Sequence, residues 1–259
     1  MREGWVAGLA ILLISCATVP ETGRRELLLV SSQDEMQLGL SEFQKLKKAT
    51  PVSQDAALQA MVQRVGQRIA AVASLPNAQW EFVLFDEPKT VNAFCLPGGK
   101  VGVYTGILAL TQDEAGLATV IAHEVSHAVA RHGAERLSHA LLIQFGGSLL
   151  DAALQDHSET ARVLAQQAYG LGGSIGVALP HSRMQESEAD HLGLLYMARA
   201  GYDPRQAVEF WKRFAAYNDR QGGRQIEFLS THPVDRTRIS QLESELPQAL
   251  QEYQKAAGR

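Results

Sequence analysis

Two histidines four residues apart, His123 and His127, with Glu124 between them, are the residues of this chain best suited to chemistry. On a helix, residues four apart stack on one face, so both imidazoles can reach one ion. Glu124 sits about 100° around the same helix, off that face and in position to hold a water that the ion activates. Zn²⁺ takes neutral imidazole readily and, in catalytic sites, keeps one position open for water. The combination points to metal-assisted hydrolysis and requires a third protein ligand. Residues 181–193 (HSRMQESEADHLG) supply one, because on a helix Glu186 and Asp190 share a face. Glu186 can complete a His₂Glu set. Asp190, one turn on, can hydrogen-bond a ligand imidazole, fixing its tautomer and raising its basicity. Glu188 points the other way and reads as part of a solvated face. His181 and His191 flank the run without an i,i+4 partner and are not assigned as ligands. One zinc ion per chain is the expected cofactor.

The elements that must hold these groups are legible around them. Thr111 followed by Glu114 is a capping box, which starts the helix carrying His123 and His127. Ser32 with Glu35 caps a helix to about Lys48. Residues 53–74 read as a second, with Leu58, Met61, Val62, Val65 and Ile69 on its apolar side. The period then changes. Residues 80–85 (WEFVLF) and 91–96 are strand-like, Pro97-Gly98-Gly99 turns the chain, and 100–105 returns as the other arm of a hairpin. An exposed sheet edge just before the metal helix can hold a substrate in extended form through its backbone. After His132 come residues 137–150 and a stretch rich in Ala, Gly and Gln to Leu179, which Gly146-Gly147 and the glycines of 170–173 break into helical pieces. Residues 144–179 are either helical packing or, with their glycines as hinges, a mobile cover over the cleft. Asp203-Pro204 opens a helix through Tyr217 with Phe210, Trp211 and Phe214 as core, and a charged helix closes the chain from Asp235. His232, held extended by Pro233, lies on the loop entering that helix. By itself it reads as a loop histidine that caps the following helix or packs near Arg236. The expected fold class is α+β, mostly helical, with a small β-sheet ahead of the histidine helix.

With 259 residues, 46 % of them apolar and 20 % charged, the composition suits one sizeable domain. A net charge of -4 without a basic stretch argues against nucleic acid as a partner. No apolar run is long enough for a membrane-spanning helix. The N-terminus instead reads as a processing signal, with Met1-Arg2, a short apolar core from Trp5 to Ser15, and then Cys16. The run LISC ending at Cys16 resembles a bacterial lipoprotein signal, whose cysteine is acylated and becomes the new N-terminus. Ala17, in place of Asp, resembles outer-membrane sorting. Acyl chains on Cys16 would anchor the protein to a membrane surface, on the periplasmic face of the outer membrane. Cys95 is then the one remaining cysteine, which excludes an internal disulfide, and it reads as a small buried hydrophobe.

Taken together, these residues resemble the HtpX/CAAX-prenyl-protease superfamily of zinc metallopeptidases (metallopeptidase family 48, gluzincin type), and within it the bacterial periplasmic lipoprotein members. The matching runs are 22–27 (TGRREL), 92–99 (NAFCLPGG), 123–127 (HEVSH), 182–190 (SRMQESEAD) and 231–233 (THP). The resemblance implies a signal peptide over 1–15, a tether over 16–25 and a zinc metallopeptidase domain over 26–259. It implies that His123, His127 and Glu186 bind zinc, that Glu124 is the general base and that Asp190 supports the ligands. A histidine matching His232 approaches the metal and restrains activity in some relatives. The sheet edge at Asn92, Ala93 and Phe94, or its hairpin partner, is the implied substrate-binding edge. The implied activity is endoproteolysis of misfolded or misassembled periplasmic and outer-membrane proteins. The competing expectation is a lipoprotein chaperone or assembly factor with a largely latent zinc site. His181 stands where relatives often carry an aromatic residue.

Overall fold

A computed structural model of the chain describes residues 16–145, 163, 182–220, 226–233 and 236–258. The elements in order are β1 (Cys16–Thr18), β2 (Arg25–Leu27), α1 (Ser32–Ala49), α2 (Ala56–Ala70), β3 (Glu81–Phe85), β4 (Ala93–Leu96) and β5 (Lys100–Tyr104). They continue with α3 (Leu108–Thr111), α4 (Glu114–Val129), α5 (His132–Phe145), α6 (Arg183–Arg199), α7 (Arg205–Arg220), α8 (Glu227–Thr231) and α9 (Arg236–Ala257). The fold is α+β and mostly helical, with its small sheet ahead of the histidine helix, as the sequence implied. The signal peptide expected over 1–15, nearly all of the cover expected over 144–179, and His181 lie outside the described residues. Among the described residues, no helix is long and apolar enough to cross a membrane.

The three-stranded sheet has the order β3-β5-β4. β4 and β5 form the expected antiparallel hairpin, and β3 pairs in parallel with the far side of β5. The hairpin turn needs Gly98 and Gly99, whose φ values of 79° and 80° fall where side chains other than glycine are strained. β5 is central, so β4 keeps an outer edge that no other strand covers among the described residues.

α4 is the axis of the domain. Every residue from Gly116 to His127 is buried, because α2, α6, α7 and β4 pack around it. A helix enclosed on all sides has no polar face to spare, so its ionisable groups must find partners in the neighbouring elements. The helix start differs from the expected capping box. Thr111 closes α3 and donates to the Leu108 carbonyl at 3.1 Å, so its hydroxyl is not available for a cap. Asp113 caps α4 instead, accepting from the Gly116 N–H at 2.8 Å. α6 crosses α4 closely at Gly193, where an added Cβ would stand 3.1 Å from the His123 nitrogen and 3.2 Å from its Cα. That approach brings the carboxylates of α6 within reach of the histidines.

Ahead of this core, β1 and β2 pair antiparallel. The stretch expected as a tether includes β1 and the turn into β2. Val19 is fully buried there, and Thr22 and Arg24 reach Glu188 on α6.

Candidate active site

Four side chains from three elements converge in the interior. His123 and His127 come from α4, Glu186 from the first turn of α6, and His232 from the end of α8. Their facing atoms all lie within 4.8 Å of one another. His123 Nε2 is 3.1 Å from His127 Nε2 and 3.3 Å from His232 Nδ1. Glu186 Oε1 is 3.4 Å from His127 Nε2 and 3.0 Å from His232 Nδ1. Glu124 lies beside the group, its Oε1 3.4 Å from His232 Nε2. None of these five residues is more than 6 % exposed. His232 therefore joins the cluster.

Arg238 on α9 organises the carboxylates. It grips Asp190 with two hydrogen bonds, Nε to Oδ2 at 2.7 Å and Nη2 to Oδ1 at 2.8 Å. Its Nη1 lies 2.6 Å from Glu186 Oε2 and donates to the Pro233 carbonyl at 2.9 Å. The guanidinium also stacks 4.3 Å from the Trp211 ring centre. Asp190 in turn stands 3.0 Å from His123 Nδ1. Burial would raise Asp190, but Arg238 and His123 outweigh burial and lower its pKa. Burial likewise opposes ionisation of Glu186, and His232, Arg238, His123 and His127 together hold it well below the usual carboxylate range. His123 moves the other way. Burial lowers it, but Asp190 and Glu186 raise it to about 9. Glu124, with burial as its main influence, is raised, while His232 and His123 pull it back.

The donor set fits a zinc ion. Four donors placed tetrahedrally about 2.0 to 2.1 Å from zinc lie about 3.4 Å from one another, and the four contacts above run from 3.0 to 3.4 Å. Glu124 Oε1 is buried with no hydrogen-bond donor among the described residues, as suits an oxygen that has a water to bind.

Glu188 corrects the sequence reading. It is not on a solvated face but 8 % exposed, accepting from Thr22 Oγ1, from Arg24 Nε at 2.6 Å and from His132 Nε2 at 2.9 Å. Burial works to raise it, yet those hydrogen bonds prevail and hold it at about 2. Burial dominates at His132 and lowers it. The other face of α6 is thus covered by a distant N-terminal segment, which helical periodicity cannot reveal. Arg238 was missed for a similar reason, since it lies on a different element from His232 and has no spacing signal. His191, left out as a ligand, pairs with Glu245 at 3.0 Å. Cys95 is buried, as expected, and burial pushes its thiol up.

A cleft reaches the cluster. Asn92, Ala93 and Phe94 line it together with Glu124, His127 and His232. The three candidate substrate-binding residues thus line the same cavity as Glu124.

A sequence profile described as "Peptidase family M48" matches residues 56–246. The "Mitochondrial metalloendopeptidase OMA1" of Schizosaccharomyces pombe is 40 % identical over 188 residues, covering 73 % of this chain and 53 % of that protein. The "Metalloendopeptidase OMA1, mitochondrial" of Homo sapiens is 30 % identical over 241 residues, 89 % of this chain and 46 % of that protein. The "Putative beta-barrel assembly-enhancing protease" of Vibrio cholerae is 29 % identical over 228 residues, 86 % of this chain and 46 % of that protein. The chain spans about half the length of the curated relatives it matches.

Proposed function

The chain belongs to peptidase family M48, and from that premise we propose that it is a zinc-dependent endopeptidase of the bacterial cell envelope, acting on misfolded or misassembled periplasmic and outer-membrane proteins. The observation that carries the peptidase reading is the convergence of His123, His127 and Glu186 beside Glu124 in a cleft walled by the free edge of β4. Zinc bound there supplies Lewis acidity toward a carbonyl oxygen and lowers the pKa of a bound water. Glu124 takes the proton from the attacking water and passes it to the leaving amine nitrogen. Asp190 and Arg238 hold His123 and Glu186 in place. Near Asn92, Ala93 and Phe94 an extended peptide pairs in this reading with the β4 backbone groups that do not already face β5, a mode that selects unfolded chain because folded strands have already paired theirs.

His232 has a restraining role in this reading. Its Nδ1 lies among the ligand atoms and its Nε2 faces Glu124. In that position it competes with water and with a substrate carbonyl for the same space. The four-donor arrangement also supports a second reading, a chaperone or assembly factor with a largely latent zinc site, because structural zinc sites fill all four positions.

The run ending at Cys16 resembles a lipoprotein signal and favours the envelope, as does the name of the Vibrio cholerae relative. The mitochondrial relatives are also named metalloendopeptidases. The test combines zinc content with hydrolysis of an unfolded protein. About one zinc per chain is expected, lost in His123→Ala, His127→Ala and Glu186→Ala, because each removes a ligand. Glu124→Gln should keep zinc and lose hydrolysis. A zinc-loaded wild-type protein that binds unfolded clients without cutting them would establish the latent reading instead.

A further inference from the structure

We propose that Thr22 and Arg24 of the N-terminal segment, acting through Glu188 and His132, are positioning residues that set the tautomer and aim of His127. The proposal rests on the zinc reading and extends it to a part of the chain that does not touch the cluster.

The chain of contacts can be followed atom by atom from the outside inward. Arg24 Nε donates to Glu188 Oε2 at 2.6 Å, its Nη1 donates to Glu135 Oε1 at 2.8 Å, and Thr22 donates to Glu188 Oε1. A carboxylate paired with arginine is ionised and can only accept hydrogen bonds. His132 Nε2, 2.9 Å from Glu188 Oε2, must therefore carry the proton of that contact. In a neutral imidazole the other nitrogen is then bare. His132 Nδ1 lies 2.8 Å from His127 Nδ1, so His127 is the donor across that gap. With its proton committed to Nδ1, His127 presents a lone pair at Nε2, the atom that faces His123 and Glu186. The opposite tautomer would turn an N–H toward the cluster and exclude His127 as a ligand.

The backbone is shaped for this contact. Arg131, between α4 and α5, has φ 48° in the left-handed region and is held by Glu35, which accepts from its Nε at 2.8 Å. The reversal at Arg131 brings His132 back over the end of α4, its ring centre 4.9 Å from that of His127. α6 then serves both histidine ligands from opposite faces. Asp190, held by Arg238, faces His123. Glu188, held by Arg24, reaches His127 through His132.

The test measures zinc affinity of the metal-stripped full chain by competition with a chromophoric chelator, alongside its thermal unfolding without metal. His132→Phe fills the space but can neither accept from His127 nor donate to Glu188. It should weaken zinc binding by about 10- to 100-fold. His132→Gln can do both, with its amide oxygen and its NH₂ group, and should recover most of that loss. The double variant Thr22→Val with Arg24→Met should weaken zinc by about 10-fold, and it carries the test if His132→Phe does not fold. A role in packing alone predicts that the Phe and Gln variants shift unfolding without separating in zinc affinity. Equal affinities for those two variants, or a double variant within about twofold of wild type, would overturn the proposal. Wild-type protein that fails to bind zinc would overturn the metal reading itself, an outcome distinct from the variants matching a zinc-binding wild type.

Discussion

Replacing Arg238 by methionine isolates the charge that the active centre draws from α9. Methionine keeps much of the stem and can still pack on Trp211, so the change mainly removes the guanidinium. What remains is Asp190 without its two hydrogen bonds at 2.7 and 2.8 Å, and Glu186 without the cation at 2.6 Å. Both carboxylates are at most 5 % exposed, so water cannot make good the loss. Breaking one partner out of a buried ion pair costs about 3 to 5 kcal/mol. At about 2 to 4 °C per kcal/mol for a chain of this size, the metal-free variant should melt about 6 to 20 °C lower at pH 7. The pH dependence follows from the depressed carboxylates. In the wild type, their contribution to stability is present above the unfolded pKa and lost as pH falls through the folded values. In the variant the share of that depression due to Arg238 is gone and the buried groups protonate more readily, so its deficit should shrink from pH 7 to pH 5. Zinc should reduce the deficit further, since the ion offsets charge at Glu186. Calorimetric melts at both pH values, with and without zinc, measure all of this. A fall of less than about 2 °C at pH 7, or the same deficit at pH 5, would refute the reasoning.

Three other outcomes are expected. His232→Ala at matched zinc content should cleave an unfolded protein faster than wild type if His232 restrains the site; slower cleavage would make it a substrate contact instead. Glu26 is raised to about 7, mainly by burial with Arg24 and Arg131 opposing, so the folded state binds its proton more tightly than the unfolded state. Stability is therefore lost as pH rises from about 4.5 to 7, and Glu26→Gln should melt higher than wild type at pH 8 but not at pH 5; equal differences at both would refute it. Cys16→Ala should yield protein without acyl chains, and native protein whose mass shows an unmodified N-terminus downstream of Cys16 would rule out lipid anchoring.

The legible parts of the molecule were those encoded over short distances. Spacing alone placed His123 and His127 on one helix face and Glu186 and Asp190 on another, and Pro97-Gly98-Gly99 marked the hairpin. The parallel pairing of β3 with β5 was not legible, because it joins strands separated by the whole of β4. The cap of α4 was misplaced by two residues because Thr111 and Asp113 are both good caps, and the short turn of α3 consumed the first. Glu188 was misread because a charge on the opposite face of a helix is usually solvated, and nothing local to 181–193 announces that Arg24 will cover it. His232 is not placed by the sequence, since a loop histidine before proline has no periodicity from which to infer its neighbours.

The errors share a cause that bears on what the centre is for. α4 is enclosed on all sides, yet it carries two histidines and a glutamate at positions where apolar side chains would pack at no electrostatic cost. Ionisable groups are retained in such an interior when each is paired, and their shifted pKa values mark functional sites. Here the pairing is drawn from far apart in the sequence: Arg24 ahead of β2, Glu186, Glu188 and Asp190 on α6, His232 at the end of α8 and Arg238 on α9. A fold that needed only stability could replace this set with leucines and alanines. The arginines hold the outer carboxylates, the outer groups stand against the histidines, and four donor atoms converge at the centre. The network therefore supports a cation at that point more directly than it supports the surrounding core.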